Sequence, residues 1–113
     1  MDFECSDKRV ATGTLDNNPV SIQKGRSRLL GWYFFNGDAA TVYVQFFDSN
    51  NGSPALGFDK PIMSLGIPAG AAANVFDGEG AVDFYNGITI AATATRDGNG
   101  APGTPLAYNV FFA

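Results

Sequence analysis

Residues 27–36, SRLLGWYFFN, and residues 41–48, TVYVQFFD, decide how this chain folds. Both runs are rich in aromatic and β-branched residues, which fit a pleated surface, and neither keeps a helical period. Val42, Val44 and Phe46 would share one face of a strand, and Tyr43, Gln45 and Phe47 the other. The first run is apolar on both faces, as a central strand is. Between them stands Asn36-Gly37-Asp38, a signal of the kind that joins hairpins. The two runs therefore read as the principal antiparallel pair.

Working outward, the pattern persists. Residues 61–67 (PIMSLGI) read as an edge strand, opened by Pro61 and ended by Pro68. Strands follow through residues 74–77 and, as a short strand or bend, residues 81–85. Residues 88–95 alternate, with Ile88, Ile90, Ala92 and Ala94 on one side and Thr89, Ala91, Thr93 and Thr95 on the other. That predicts a half-buried strand with a threonine-rich face toward water. The last strand, residues 106–112, places Leu106, Tyr108, Val110 and Phe112 together. Turn clusters separate the runs, and no segment keeps a helical period. The expectation is all-β: an antiparallel two-sheet sandwich or jelly roll of about seven or eight short strands. Residues 1–19, polar and punctuated by Gly13, Asn17, Asn18 and Pro19, read as an extended N-terminal arm with a short strand near residues 9–15. Residues 20–113 read as a single β-sandwich domain.

Composition bounds the chemistry. The chain has 113 residues, a net charge of −4, one cysteine and no histidine. An acidic chain repels phosphate backbones, so neither nucleic acid nor an anionic membrane is expected as a partner. Without histidine, the commonest general base and metal ligand is missing, and Cys5 has no base to activate it. Of the acids Asp48, Asp59, Asp77, Glu79, Asp83 and Asp97, half adjoin Gly, and turn chemistry is the expected explanation for the set. Residues 48–52 and 97–100 are oxygen-rich but do not complete a calcium loop. We therefore expect no catalytic, cofactor or metal site. Residues 1–9 lack the apolar core of a signal peptide, and the single cysteine allows no internal disulfide, so cytoplasmic synthesis is expected.

What the sequence offers is surface. Trp32, Tyr33, Phe34 and Phe35 are consecutive, so two point to each face, and Phe46 and Phe47 repeat the arrangement. Lys24, Arg26 and Arg28 alternate and would share one face of an extended segment. Trp32, Tyr33, Phe35, Phe47, Arg26 and Arg28 are the candidate interface residues. Three readings stay open for the aromatics: cover within the monomer, a subunit interface, or a platform for sugar stacking.

The chain also resembles short virion proteins of tailed bacteriophages. The likeness is carried by Arg28-Leu29-Leu30-Gly31-Trp32, Phe35-Asn36, Tyr43-Val44-Gln45-Phe46-Phe47-Asp48, Ile67-Pro68-Ala69-Gly70 and Phe84-Tyr85-Asn86-Gly87-Ile88-Thr89-Ile90-Ala91, across residues 28–95. It implies a β-sandwich that decorates or cements a capsid, or serves as a head-fibre or tail domain. Such proteins form homo-oligomers, trimers above all, and bind the major capsid protein or other virion subunits through strand edges, apolar patches and terminal arms. The implied location is the capsid surface, after assembly in a bacterial cytoplasm. The alternative is a carbohydrate- or receptor-binding module of a fibre or tail.

Overall fold

The computed structural model describes residues 9–50, 53–76 and 82–113. These form nine strands: β1 (Arg9–Leu15), β2 (Val20–Lys24), β3 (Ser27–Phe35), β4 (Val42–Asp48), β5 (Met63–Ile67), β6 (Ala72–Phe76), β7 (Val82–Phe84), β8 (Gly87–Thr93) and β9 (Leu106–Phe112). One sheet runs β1-β9-β3-β6, with β7 also paired to β3; the other runs β2-β8-β4-β5. Every pairing is antiparallel.

The order has a simple origin. β4 pairs with β5, β3 with β6 and β7, β2 with β8, and β1 with β9. The chain is thus one long hairpin, doubled back around residues 49–62. Rolling that hairpin over itself adds the β9–β3 and β8–β4 pairings and separates the strands into two facing sheets. This is the jelly-roll arrangement. One position of the eight is divided, since β6 and β7 occupy successive halves of the same edge of β3.

The core lies between the sheets. Leu15, Leu29, Phe34, Val44, Phe46, Phe84, Ile88, Ile90, Leu106 and Val110 are fully buried there. The alternation read for the last strand holds, with Leu106, Tyr108, Val110 and Phe112 all turned inward. β5 is an edge strand, as its flanking prolines require. Of the expected arm, residues 9–15 are β1, paired along their whole length with β9, and Leu15 is wholly buried. Residues 1–8 lie outside the described residues.

Three expectations are corrected. First, β3 and β4 are not a hairpin: they belong to opposite sheets. Asn36, fully buried, pins the corner between them. Its side-chain amide donates to the carbonyls of Ile67 (2.8 Å), Ala40 (2.9 Å) and Pro68 (3.2 Å), while its Oδ1 accepts from the Asp38 amide (2.8 Å). Its backbone N–H donates to Ala71 O (2.9 Å). One side chain thus ties the end of β3 to the β5–β6 connection, and residues 37–41 carry the chain across to the second sheet.

Second, the threonines of β8 do not face water. Thr89 and Thr93 are wholly buried, as are Gln45 and nearly all of Phe47 beside them on β4. Loops roof this outer face. The Gln45 amide donates to Thr93 Oγ1 (2.7 Å) and to Gly98 O (3.1 Å), and Thr93 Oγ1 donates to Thr95 O (2.6 Å). Ser64 Oγ donates to Arg96 O (2.6 Å), and Thr89 Oγ1 to Ser49 O (3.2 Å). Buried hydroxyls and amides need such partners.

Third, Lys24, Arg26 and Arg28 do not share a strand face. Gly25, at φ 81°, turns the chain between β2 and β3, so Lys24 ends one sheet and Arg28 begins the other.

Candidate interaction surface

The two sheets differ on their outer sides. That of the β2-β8-β4-β5 sheet is covered by loops. That of the β1-β9-β3-β6 sheet is open, and the strand registers lay its side chains out in three rows. Val10, Phe111, Gly31 and Phe76 form one row. Thr12, Asn109, Tyr33 and Asn74 form the next, and Thr14, Ala107, Phe35 and Ala72 the third. No ionisable side chain other than tyrosine occurs among these twelve positions, in a chain carrying 18 Asp, Glu, Lys and Arg residues.

Gly31 holds this face together. A side chain there would strike the β6 backbone, lying 2.8 Å from Phe76 Cα. Its absence lets the Phe76 and Phe111 rings meet edge to face above it, with centroids 5.5 Å apart at 89°. Phe76 is still 64% exposed, Val10 54% and Phe35 41%. A groove of about 370 Å³ runs along the β6 side, lined by Trp32, Tyr33, Asn74, Val75, Phe76 and Phe111.

The expected interface residues divide. Tyr33 and Phe35 lie together on the open face. Trp32 turns toward the core, its ring 5.6 Å from Phe46 and 6.4 Å from Phe34, with one border reaching the groove. Phe47 belongs to the other sheet and is only 3% exposed, lining a cavity that Ser53, Pro54 and Ile62 also border. Arg28, at the end of β3, pairs with Asp83 across to β7 (Nε–Oδ1 3.3 Å). Arg26 lies over the Tyr85 ring at 4.8 Å. The aromatic strand of the sequence therefore supplies two of the five large side chains on this surface. Val10, Phe76 and Phe111 complete it, and their signal was the second face of each strand: Phe111 alternates with the inward set of β9.

Polar groups elsewhere are engaged structurally. The Asp48 carboxylate accepts the backbone N–H groups of Asn86 (2.7 Å), Tyr85 (3.1 Å) and Gly87 (3.3 Å). Gly98 O and Asn99 O, in the second oxygen-rich loop, accept from Gln45 and Asn17. Among the described residues, no three acidic or cysteine side chains converge in a metal-binding group. Cys5 and residues 77–81 lie outside the described residues.

No family model and no curated protein sequence matches the chain. Two solved structures are similar in fold. One is the coat protein of Tobacco streak virus, at 9% identity and a TM-score of 0.43, covering 98% of this chain and 89% of that one. The other is from Bacillus endospore appendages, described as a family of disulfide-linked pili, at 15% identity and a TM-score of 0.43, covering 94% of this chain and 83% of that one. Likeness of this degree concerns architecture, and architecture alone does not assign a role.

Proposed function

We propose that this chain is a structural subunit of a virus particle, a decoration or cement protein that docks on the capsid through the open face of its β1-β9-β3-β6 sheet. The supporting observation is the contrast between the sheets: one outer face is roofed by its own loops, while the other is left bare, with no acidic or basic side chain among its twelve β1-β9-β3-β6 positions and the Arg28–Asp83 pair at its β7 end. Exposed aromatic and apolar side chains gathered on one uncharged face, here in two rows flanking a polar one, are the kind of surface that protein contacts use. A charge-free face also lets a protein of net charge −4 approach a neighbour without like-charge repulsion. The function asks for no catalytic group, in keeping with a sequence that lacks histidine.

The size of the face constrains the mode of attachment. Four strands spaced about 4.8 Å, over five residues of about 3.4 Å each, give a flat footprint of roughly 320 Å². Specific contacts usually bury about 800 Å² per partner. Firm attachment then calls for several copies acting together, as in a symmetric oligomer on a capsid lattice.

The test is co-sedimentation of the purified chain with particles of its phage, with copy number measured against the major capsid protein. Capsid-scaled stoichiometry, lost in Phe35→Asp/Phe76→Asp, is the expected result. Absence of binding refutes the proposal, and a few copies per particle moves the chain to a fibre or tail. A second reading has one observation in its favour: Tyr33 stands in register between Asn109 and Asn74, an aromatic face flanked by amides, as carbohydrate recognition uses. Glycan binding abolished by Tyr33→Ala, in a chain indifferent to particles, would select it.

A further inference from the structure

The four sheet edges are not equally protected. Exposed edges invite pairing with other strands, and proteins blunt them with proline, lysine, bulges or brevity. β2 carries a register shift between Ser21 and Gln23, follows Pro19 and ends in Lys24. β5 has five residues, with Lys60 and Pro61 before it and Pro68 after it. β6 also has five, and Pro68 lies shortly before it. β1 has seven, in unbroken register with β9, and no proline or bulge; its basic residues, Lys8 in the sequence before it and Arg9, stand only at its start. From Val10 to Leu15 it is uncharged, and all of it but Leu15 and the half-buried Ala11 is exposed.

We infer that β1 is a self-association edge, where two copies of this chain pair antiparallel about a twofold axis at Thr12. The sequence of the edge selects this occupant. In that register Thr12 faces Thr12 of the second copy, Val10 faces Thr14 and Ala11 faces Gly13, all pairings of β-branched or small residues. Arg9 begins the strand and Asp16 follows its end, so antiparallel alignment brings each arginine to the acidic end of the other copy instead of to its twin. Seven residues so paired form roughly six to eight backbone hydrogen bonds. The two sheets become one of ten strands, and the open faces fall side by side, doubling the surface presented to a flat partner. A twofold pair differs from the trimer that the phage resemblance implies.

The inference stands apart from the virion proposal, because the experiment uses the purified full chain without particles. Sedimentation equilibrium over a concentration series is expected to show a monomer–dimer equilibrium. Thr12→Lys sets two like charges opposite each other on an exposed position and should weaken the dimer about tenfold. Thr12→Asp should do the same, and an equimolar mixture of the two should recover the dimer as a mixed pair. Circular dichroism on each variant, with Thr12→Ser as a neutral control, verifies the fold. A wild-type chain that remains monomeric, a trimer, or a dimer unaffected by Thr12→Lys would each overturn the inference.

Discussion

Replacing Asn36 by alanine tests the account of the sheet-to-sheet crossover. The substitution leaves Ile67 O buried without the donor it had at 2.8 Å, and removes the acceptor of the Asp38 amide. The Ala40 and Pro68 carbonyls, only part-buried, can recruit water. A buried polar group deprived of its partner costs about 1–3 kcal/mol, and a partly solvated one less. Together these give about 3 kcal/mol. For a chain of this length, unfolding entropy makes that a fall in Tm of about 12 °C. Asn36→Asp should be worse at neutral pH, because a carboxylate would face carbonyl oxygens with no proton to donate. Its folded-state pKa would be raised, so stability should return as the pH falls and the carboxyl becomes a donor again. Urea denaturation of both variants at pH 7 and pH 4.5 is the assay. If Asn36→Ala unfolds within 1 kcal/mol of the parent, or if Asn36→Asp shows no gain on acidification, the side chain does not pin the corner.

Other positions offer independent checks. Asp48→Ala removes the acceptor of three consecutive amides, and we expect a loss of about 2 kcal/mol, with hydrogen exchange fastest at Tyr85, Asn86 and Gly87. Gly87 has φ 148°, and a Cβ there would come 2.6 Å from Gln23 O and 2.7 Å from Ser49 O. Gly87→Ala should therefore lose at least about 3 kcal/mol by thermal denaturation, or fail to accumulate as folded protein. Burial raises the Tyr108 hydroxyl above the ordinary 10.0. Its neutral form thus belongs to the fold, and the stability it contributes is complete below pH 10 and is lost as the pH rises through the raised value. Absorbance titration at alkaline pH should lose a component ionising above the ordinary tyrosine value when Tyr108 is replaced, and Tyr108→Phe should flatten the alkaline decline in stability.

Much of the architecture was legible because it is written locally. Strand character follows from alternation and from aromatic and β-branched content, and Pro61 and Pro68 alone identify an edge. Pairing is not local. Residues 27–36 and 41–48 look like a hairpin because each is apolar on both sides. Yet in β3 the outward side belongs to an open surface, and in β4 it lies beneath loops whose course no periodicity announces. The same loops overturn the reading of Thr89 and Thr93, since a threonine face suits water and a hydrogen-bonded interior equally well. The basic trio fails for a smaller reason, one glycine turning the chain. At the candidate surface Tyr33 and Phe35 could be named from sequence. Phe76 and Phe111 carried only the alternation of their strands as a signal, and that they meet was not legible, because they become neighbours only when two registers converge over Gly31.

The nested order of strand pairs bears on how the chain acquires and relinquishes structure. Once β4 and β5 have closed their loop, β3 and β6 are separated only by residues 36–41 and 68–71, and each further pair is brought near by the one inside it. Loop-closure entropy is thereby met in instalments, although Arg9 and Phe112, which finally pair, lie at opposite ends of the described chain. Folding on this route proceeds from the middle of the sequence outward, and β1 is the last strand to be added. By the same logic it is the first to fray, held on one side only by β9. The segment most available for exchange with a neighbour is therefore the one whose temporary loss leaves the rest of the roll closed.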